Sequence, residues 1–171
     1  MPAPTASLTP IQRRILELLA GLAPPFVLVG GGAIAGFYFG HRVTRDLDLF
    51  WRERSLLGEL PREVQRRLSD AGLSVISLQT APQFQRFSVE SADEQCIVDL
   101  VAEPFASIES PEQALVEGKA ICVDSKHEIL ASKLATLLER SEVRDLADVK
   151  ALLDAGGDLQ AGLRDAPKKD A

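Results

Sequence analysis

The chain has 171 residues, which suits one domain or one domain with a small helical appendage. Apolar residues make up 46% and charged residues 26%, an ordinary globular composition with enough apolar material for a core of its own. A net charge of −6 and a pI of about 5.0 exclude a global attraction to phosphate backbones, so any nucleic-acid partner needs a local basic patch.

Residues 1–8 read as a loose leader. Thr9-Pro10-Ile11-Gln12 then predicts a helix start, with Thr9 as cap, Pro10 at the first helical position and Gln12 closing a capping box. Ile11, Ile15, Leu18 and Leu22 recur on one face, and Gly21 and Pro24-Pro25 end the helix. The apolar run 26–29 runs into Gly30, Gly31 and Gly32, a pattern for a buried strand and a tight turn, followed by a short apolar helix over 33–39. Residues 43–51, VTRDLDLFW, alternate in character and predict a second strand. A helix is expected over 55–71, with Leu57, Leu60, Val64 and Leu68 inward, and strands over 73–78, 84–90 and 95–102.

Ser110-Pro111-Glu112-Gln113 reads as a second capping box opening a short helix. Ser125-Lys126-His127-Glu128 reads as a third, with its helix running to about Arg140. A further helix is expected over roughly 143–154, stopping at Gly156-Gly157, with a frayed polar tail from about 158. No repeat or low-complexity block interrupts this order. It predicts an α+β (or α/β) domain: a mixed β-sheet flanked by helices over 1–107, and a helical C-terminal part over 108–171 packed on that core.

Cys96 and Cys122 lie in apolar runs without metal-ligand spacing and read as free, buried thiols. Arg62, Arg66 and Arg67 recur at helical spacing, which fits a basic patch but fits a solvated helix face better. The opening residues lack a basic n-region and an apolar h-region, and no apolar stretch reaches bilayer length. These features predict a reducing, cytoplasmic setting without a membrane partner.

The chemistry-bearing residues are concentrated in a few segments. In Asp46-Leu47-Asp48-Leu49 a strand puts both carboxylates on one face and both leucines on the other. Two carboxylates so placed repel unless a cation lies between them, and hard oxygen ligands suit Mg²⁺ or Mn²⁺. A solvated edge strand or a pair of helix caps is the plainer account. Gly30, Gly31 and Gly32, between a strand and a helix, suit a backbone cradle for phosphate, or else a simple chain reversal. Asp99 sits in the apolar strand CIVDLVA with Ile97 and Val101 on its face, where a carboxylate needs a partner or a cation. Three acids on neighbouring strands would form the metal cage that phosphoryl and nucleotidyl transfer require, with the third able to help deprotonate an incoming hydroxyl.

Lys133 lies in a row with Ile129 and Leu137, as a snorkelling lysine or a phosphate ligand. Arg144, Asp145 and Asp148 cluster on the next helix beside Val143, Leu146 and Val149, and Arg144 with Asp148 is spaced for an ordinary i, i+4 pair.

The segment LVGGGAIAGFYFGHRVTRDLDLF resembles the signature of the polymerase-β-like nucleotidyltransferases, and more narrowly the AbiEii/AbiGii toxin family. The resemblance runs through Gly30, Gly31, Arg42, Thr44, Asp46 and Asp48; Gly32 stands where the pattern usually has Thr or Ser. KLATLLERSEVRDLADV resembles the family's C-terminal motif through Lys133, Arg144, Asp145 and Asp148. The resemblance covers roughly residues 24–155. It implies a nucleotidyltransferase that moves an NMP from an NTP with Mg²⁺ (or Mn²⁺), with RNA such as tRNA ends as acceptor and a separate antitoxin protein. It implies a catalytic group of Asp46, Asp48, Asp99 and Lys133, with metal on the three acids. The nucleotide is then contacted by Gly30, Gly31, Gly32, Arg42, Thr44, Lys133, Arg144, Asp145 and Asp148.

Two other readings compete. One is a dinucleotide-binding domain, from Gly30, Gly32 and Gly36 after a strand. Its acids ought to be single and later, and its helix longer. The other is a non-catalytic nucleotide-binding protein of the same fold, whose mark would be loss of one of the three carboxylates.

Overall fold

The computed structural model describes residues 1–169. Helix α1 (Pro10–Leu19) leads to strand β1 (Val27–Val29), then a helical turn α2 (Gly30–Ala33) that continues as a π-helical segment (Ile34–Phe39). Strand β2 (Asp46–Arg52), helix α3 (Leu60–Asp70) and strands β3 (Ser74–Ala81), β4 (Phe84–Glu90) and β5 (Gln95–Glu103) follow. A hairpin of β6 (Glu112–Val116) and β7 (Lys119–Val123) precedes helices α4 (Lys126–Glu139), α5 (Val143–Asp154) and α6 (Leu159–Asp165), and a 3-10 turn (Ala166–Lys169).

The strands form one seven-stranded mixed sheet in the order β3-β4-β5-β2-β1-β7-β6. β2 lies at its centre, parallel to β5 and antiparallel to β1. Along β2 the side chains alternate: Leu47, Leu49 and Trp51 are buried, while Asp46, Asp48, Phe50 and Arg52 are only partly so. The buried set joins Val98 and Leu100 of β5 and the apolar stripes of α1 and α3 in a single core. The sheet thus has an apolar face under helices and, at its centre, an opposite face free to carry charge.

The first capping box forms as expected. Thr9 Oγ1 accepts from Gln12 N at 3.3 Å and Gln12 Oε1 accepts from Thr9 N at 2.9 Å. The Gln12 amide also donates to Thr44 O at 2.9 Å, which pins the chain just before β2. Cys96 is buried and Cys122 half-buried, both as free thiols. Arg62, Arg66 and Arg67 are spent on Glu59, Glu63 and Asp70 along α3, so that face is a solvated ion-pair lattice.

Several expectations need correction. The leader is docked rather than loose: Leu8 is buried, and Thr5 donates through N to Gly36 O and through Oγ1 to Ala35 O, both at 2.7 Å. The wider π-helical turn disturbs the regular ladder, and Thr5 supplies donors to its carbonyls. The glycines do not form a free-standing turn but begin the helix. Residues 55–59 precede α3 instead of belonging to it.

The segment after Ser110 is a hairpin, not a short helix. Glu117 and Gly118 both have positive φ, +49° and +77°, the conformation of a type I′ two-residue turn. The hairpin buries Ala114, Val116, Ile121 and Val123, and β7 pairs parallel with β1. The sheet therefore continues past residue 107, and the helical part starts only at Lys126. The tail is not frayed over 159–169. Asp158 caps α6, Ala166 is buried, and Lys169 reaches back to Glu128.

Candidate active site

The register of the sheet assembles the site row by row. β2 and β5 run parallel, with Asp46 opposite Ile97, Asp48 opposite Asp99, and Phe50 opposite Val101. The antiparallel pairing of β5 with β4 sets Arg86 opposite Asp99 and Phe84 opposite Val101. Asp46, Asp48 and Asp99 therefore meet on one face, on the floor of a cleft of about 350 Å³. Gly30 and Gly31, Thr44, Lys133 and Arg144 line the same cleft.

Gly30 turns the chain from β1 into α2 with φ +64°, where an L side chain is strained. A Cβ there would also stand 3.1 Å from Asp48 Oδ2, so the backbone lies directly against that carboxylate. At Gly31 a Cβ would meet Arg42 Nη2 at 2.5 Å. These two residues are small because the acids and Arg42 need the space. Gly32 instead packs inward against Leu28 and Leu47 and lies below the cleft surface.

Helix α5 is built inside out. Val143 and Leu146 are exposed, while Asp145 and Asp148 are completely buried. Of the expected apolar positions only Val149 is buried, joined by Leu152 further along the helix. The acids face inward because cations meet them there. Lys133 Nζ lies 2.9 Å from both Asp145 Oδ1 and Asp148 Oδ2. Arg42 donates through Nε and Nη2 to the two Asp148 oxygens at 2.8 Å each, and His41 Nε2 lies 2.7 Å from Oδ1. Burial alone would raise the Asp148 pKa, but hydrogen bonds from Arg42 and Lys133 overcome it and hold it at about 2. An ionised carboxylate only accepts, so His41 Nε2 carries the proton in that contact.

The spacing for an Arg144–Asp148 pair is not used; Arg144 bonds Glu142 at 2.6 Å. Asp145 and Asp148 do not line the cleft. They hold Lys133 from behind, and Asp148 holds Arg42 against the glycines. Among the described residues, Asp145 Oδ2 is the one buried side-chain oxygen without a hydrogen bond, with Arg140 Nε 3.4 Å away.

The floor of the cleft carries excess negative charge. Asp48 is raised to about 6, first by burial and then by the Asp99 and Asp46 carboxylates, against weaker pulls from Lys133 and Arg144. A divalent cation would relieve that repulsion, and the oxygens of Asp46 and Asp48 are the hard donors it prefers. Among the described residues, no three His, Cys, Asp or Glu side chains are arranged to hold one ion. Asp99 already has a cationic partner. Arg86 takes both of its oxygens, through Nε and Nη2, at 2.8 Å each.

Arg86 was not foreseen from the sequence, nor were His41, Ser132, Thr136 and Arg140 beside the site. Arg86 shows as a lone cation in FQRFSVE, and alternation puts it on one face of its strand. Its opposition to Asp99 depends on strand register, which alternation does not supply.

The first strands also decide against a dinucleotide-binding domain, because that unit requires a parallel crossover and β1 is antiparallel to β2. A mixed sheet with acids on its central strands beside a glycine-led helix is the nucleotidyltransferase fold, and known structures agree. JHP933 from Helicobacter pylori matches with TM-score 0.62 at 20% identity, over 85% of this chain and 64% of that one. An antigenic nucleotidyltransferase-like protein from Paracoccidioides brasiliensis matches with TM-score 0.59 at 14% identity, over 99% and 91%. The antibiotic-resistance factor ANT(2'')-Ia matches with TM-score 0.52 at 19% identity, over 92% and 90%. This chain thus spans somewhat under two thirds of the length of JHP933. No curated protein matches the sequence.

Residues 14–170 match the family described as nucleotidyl transferase AbiEii toxin of type IV toxin–antitoxin systems, and the chain belongs to that family. Its fold is that of the nucleotidyltransferase-like structures. None of its described helices is long and apolar enough to cross a membrane.

Proposed function

We propose that the cleft moves a nucleoside monophosphate from an NTP to a hydroxyl of an RNA acceptor such as a tRNA end, with Mg²⁺ or Mn²⁺ as cofactor. Asp46 and Asp48 hold the metal, and Asp99 completes the site once Arg86 has left it. The bound ion would neutralise charge on the reacting phosphate and the leaving pyrophosphate. The chain's own groups do the rest. The helix starting at Gly30 presents backbone N–H groups without intrahelical acceptors to the phosphates. Lys133 stands over the cleft with a fixed direction because two buried carboxylates hold its ammonium. Arg144 adds positive charge at the wall, and Thr44 shapes the entrance to β2.

The observation that carries this reading is the in-register facing of Asp48 and Asp99, with Asp46 on the same face, against a backbone that has no room for a side chain at Gly30. The family points to a separate antitoxin protein as partner, in keeping with its description as a toxin of type IV systems.

The test is incubation with each labelled NTP, Mg²⁺ and total cellular RNA, beside the Asp46→Asn variant. RNA labelled by the native protein and not by the variant is the expected result. Label on protein would replace the RNA acceptor, and NTP binding without any transfer would make the chain a nucleotide binder.

A further inference from the structure

We infer that Arg86 is a built-in stand-in for a metal ion: it occupies Asp99, competes there with a divalent cation, and is drawn away by the triphosphate. This deepens the proposed function and rests on its metal site.

The other basic side chains around the cleft are held in a different manner. Arg42 and Lys133 are fixed by the buried Asp145 and Asp148, and Arg52 by Asp124 and Glu103. Arg140 and Arg144 pair with Glu142 at the rim. Arg86 alone among the described cations has one of the three site carboxylates as its salt-bridge partner. The clasp is bidentate, so neither Asp99 oxygen is left without a donor. A cation that ligates Asp99 competes with the guanidinium for the same two oxygens and meets its like charge.

The two partners differ in freedom. The Asp99 side chain is 11% exposed and anchored in a central strand, whereas that of Arg86 is 43% exposed. Arg86 therefore has an open path off the carboxylate, while Asp99 has none. Its guanidinium also lies 5.6 Å from the Phe84 ring centre, a weaker resting contact beside the row that lines the cleft. Leaving Asp99 for bulk water gives up two charge-assisted bonds. A triphosphate in the same cleft gives the guanidinium a replacement anion of matching geometry. Release of Arg86, arrival of NTP and loading of Asp99 with metal then favour one another. By linkage the effect is mutual: NTP tightens metal binding as much as metal tightens NTP binding.

The experiment is a Mn²⁺ titration, by calorimetry and by loss of the free-ion electron spin resonance signal, with and without a non-hydrolysable NTP analogue. Native protein, Arg86→Ala, Arg86→Lys and Asp46→Asn are compared. Without the analogue, Arg86→Ala should bind Mn²⁺ roughly tenfold tighter than native, and Arg86→Lys should lie between them. The analogue, itself a Mn²⁺ ligand, should tighten Mn²⁺ binding to both proteins once its own Mn²⁺ complex in solution is subtracted, and roughly tenfold more for native protein than for Arg86→Ala. Charge removal alone would strengthen Mn²⁺ binding in Arg86→Ala but leave Arg86→Lys, which keeps the charge, equal to native; an intermediate Arg86→Lys marks loss of the two-pronged clasp. Should Arg86→Ala prove unstable, Arg86→Lys, which keeps the charge and loses the fork, carries the same comparison. Identical isotherms for native and Arg86 variants, with Asp46→Asn unable to bind, would overturn the role of Arg86 and leave the metal site standing. Equal binding by native and Asp46→Asn would instead overturn the metal site and this inference with it.

Discussion

Asp48 and Asp99 stand opposite one another on adjacent parallel strands, and nothing but register brings them there: 51 positions separate them in the chain. The pairing is electrostatically uphill. Asp48 is pushed up to about 6 by burial and then by its two acidic neighbours. A carboxyl whose folded pKa lies above its unfolded value, about 3.9, binds its proton more tightly when folded. Stability from this group therefore falls as pH rises from about 4 to about 6, and the full cost is present above that window.

Asp48→Asn should remove that cost. At pH 7.5 with chelator present, the variant should be more stable than native by on the order of 1–3 kcal/mol, while transfer is abolished. The gain should vanish by about pH 3, where the native carboxyl is protonated in both the folded and the unfolded state. Urea denaturation of the two proteins at both pH values checks this. A less stable variant at pH 7.5 would mean that Asp48 has an unseen favourable partner.

The same carboxyl predicts the pH dependence of metal binding. A ligand must be deprotonated to hold a cation. Below about 6, protons should compete at Asp48, and Mn²⁺ affinity should drop by up to about tenfold per pH unit. Titrations at pH 7.5, 6.0 and 5.0 would measure it. In Asp48→Asn whatever affinity remains should show a flatter profile over that range.

The part of the site made from local pattern was legible in the sequence, and the part made from register was not. Alternation alone put Asp46 and Asp48 on one face, and the glycine run between strand and helix marked the backbone that lies beside them. Lys133 with Asp145 and Asp148 followed from motif order, although the burial of α5 ran opposite to its apolar pattern. Val143 and Leu146 lost the inward positions because two buried carboxylates matched with Arg42, His41 and Lys133 fill that space. Arg86 could not be found without knowing which residue of β4 lies opposite Asp99. The hairpin at 112–123 was masked by a Ser-x-x-Gln pattern that imitates a helix start; Glu117-Gly118 between two alternating runs was the better signal. The tail looked polar, yet Lys169 is polar toward a buried partner.

Asp148 is the joint between the glycine helix, the loop before β2 and the C-terminal helices. Asp148→Ala would leave the Arg42 and Lys133 cations without a shared anion in a dry region, so a loss of about 3–5 kcal/mol is expected. NTP affinity should fall as well, because Arg42 and Lys133 lose their fixed positions. Asp148→Asn, which keeps an acceptor oxygen, should cost less. The depressed pKa adds an acid-side signature. Stability from Asp148 is present above about pH 4 and is lost as pH falls through about 2. Urea midpoints for the three proteins at pH 7.5 and 3 would test both statements.

Glu128 anchors the other end of the helical part. It is fully buried, accepts from Ile108 N at 2.7 Å and Glu109 N at 3.0 Å, and receives the Lys169 ammonium. Arg52 Nη2 lies 3.8 Å away, too far to replace that contact. Burial would raise Glu128, but these partners, Lys169 first, hold its pKa below the usual range, so the pair is charged at neutral pH. Lys169→Met should therefore destabilise the protein by about 2–4 kcal/mol, chiefly by stranding the carboxylate. Adding Glu128→Gln to that variant should recover part of the loss, since the amide oxygen still accepts from the backbone and no charge is left behind. A double-mutant cycle read by urea denaturation measures the coupling. Additive losses would show that the C-terminal turn is held by Ala166 packing and not by the ion pair.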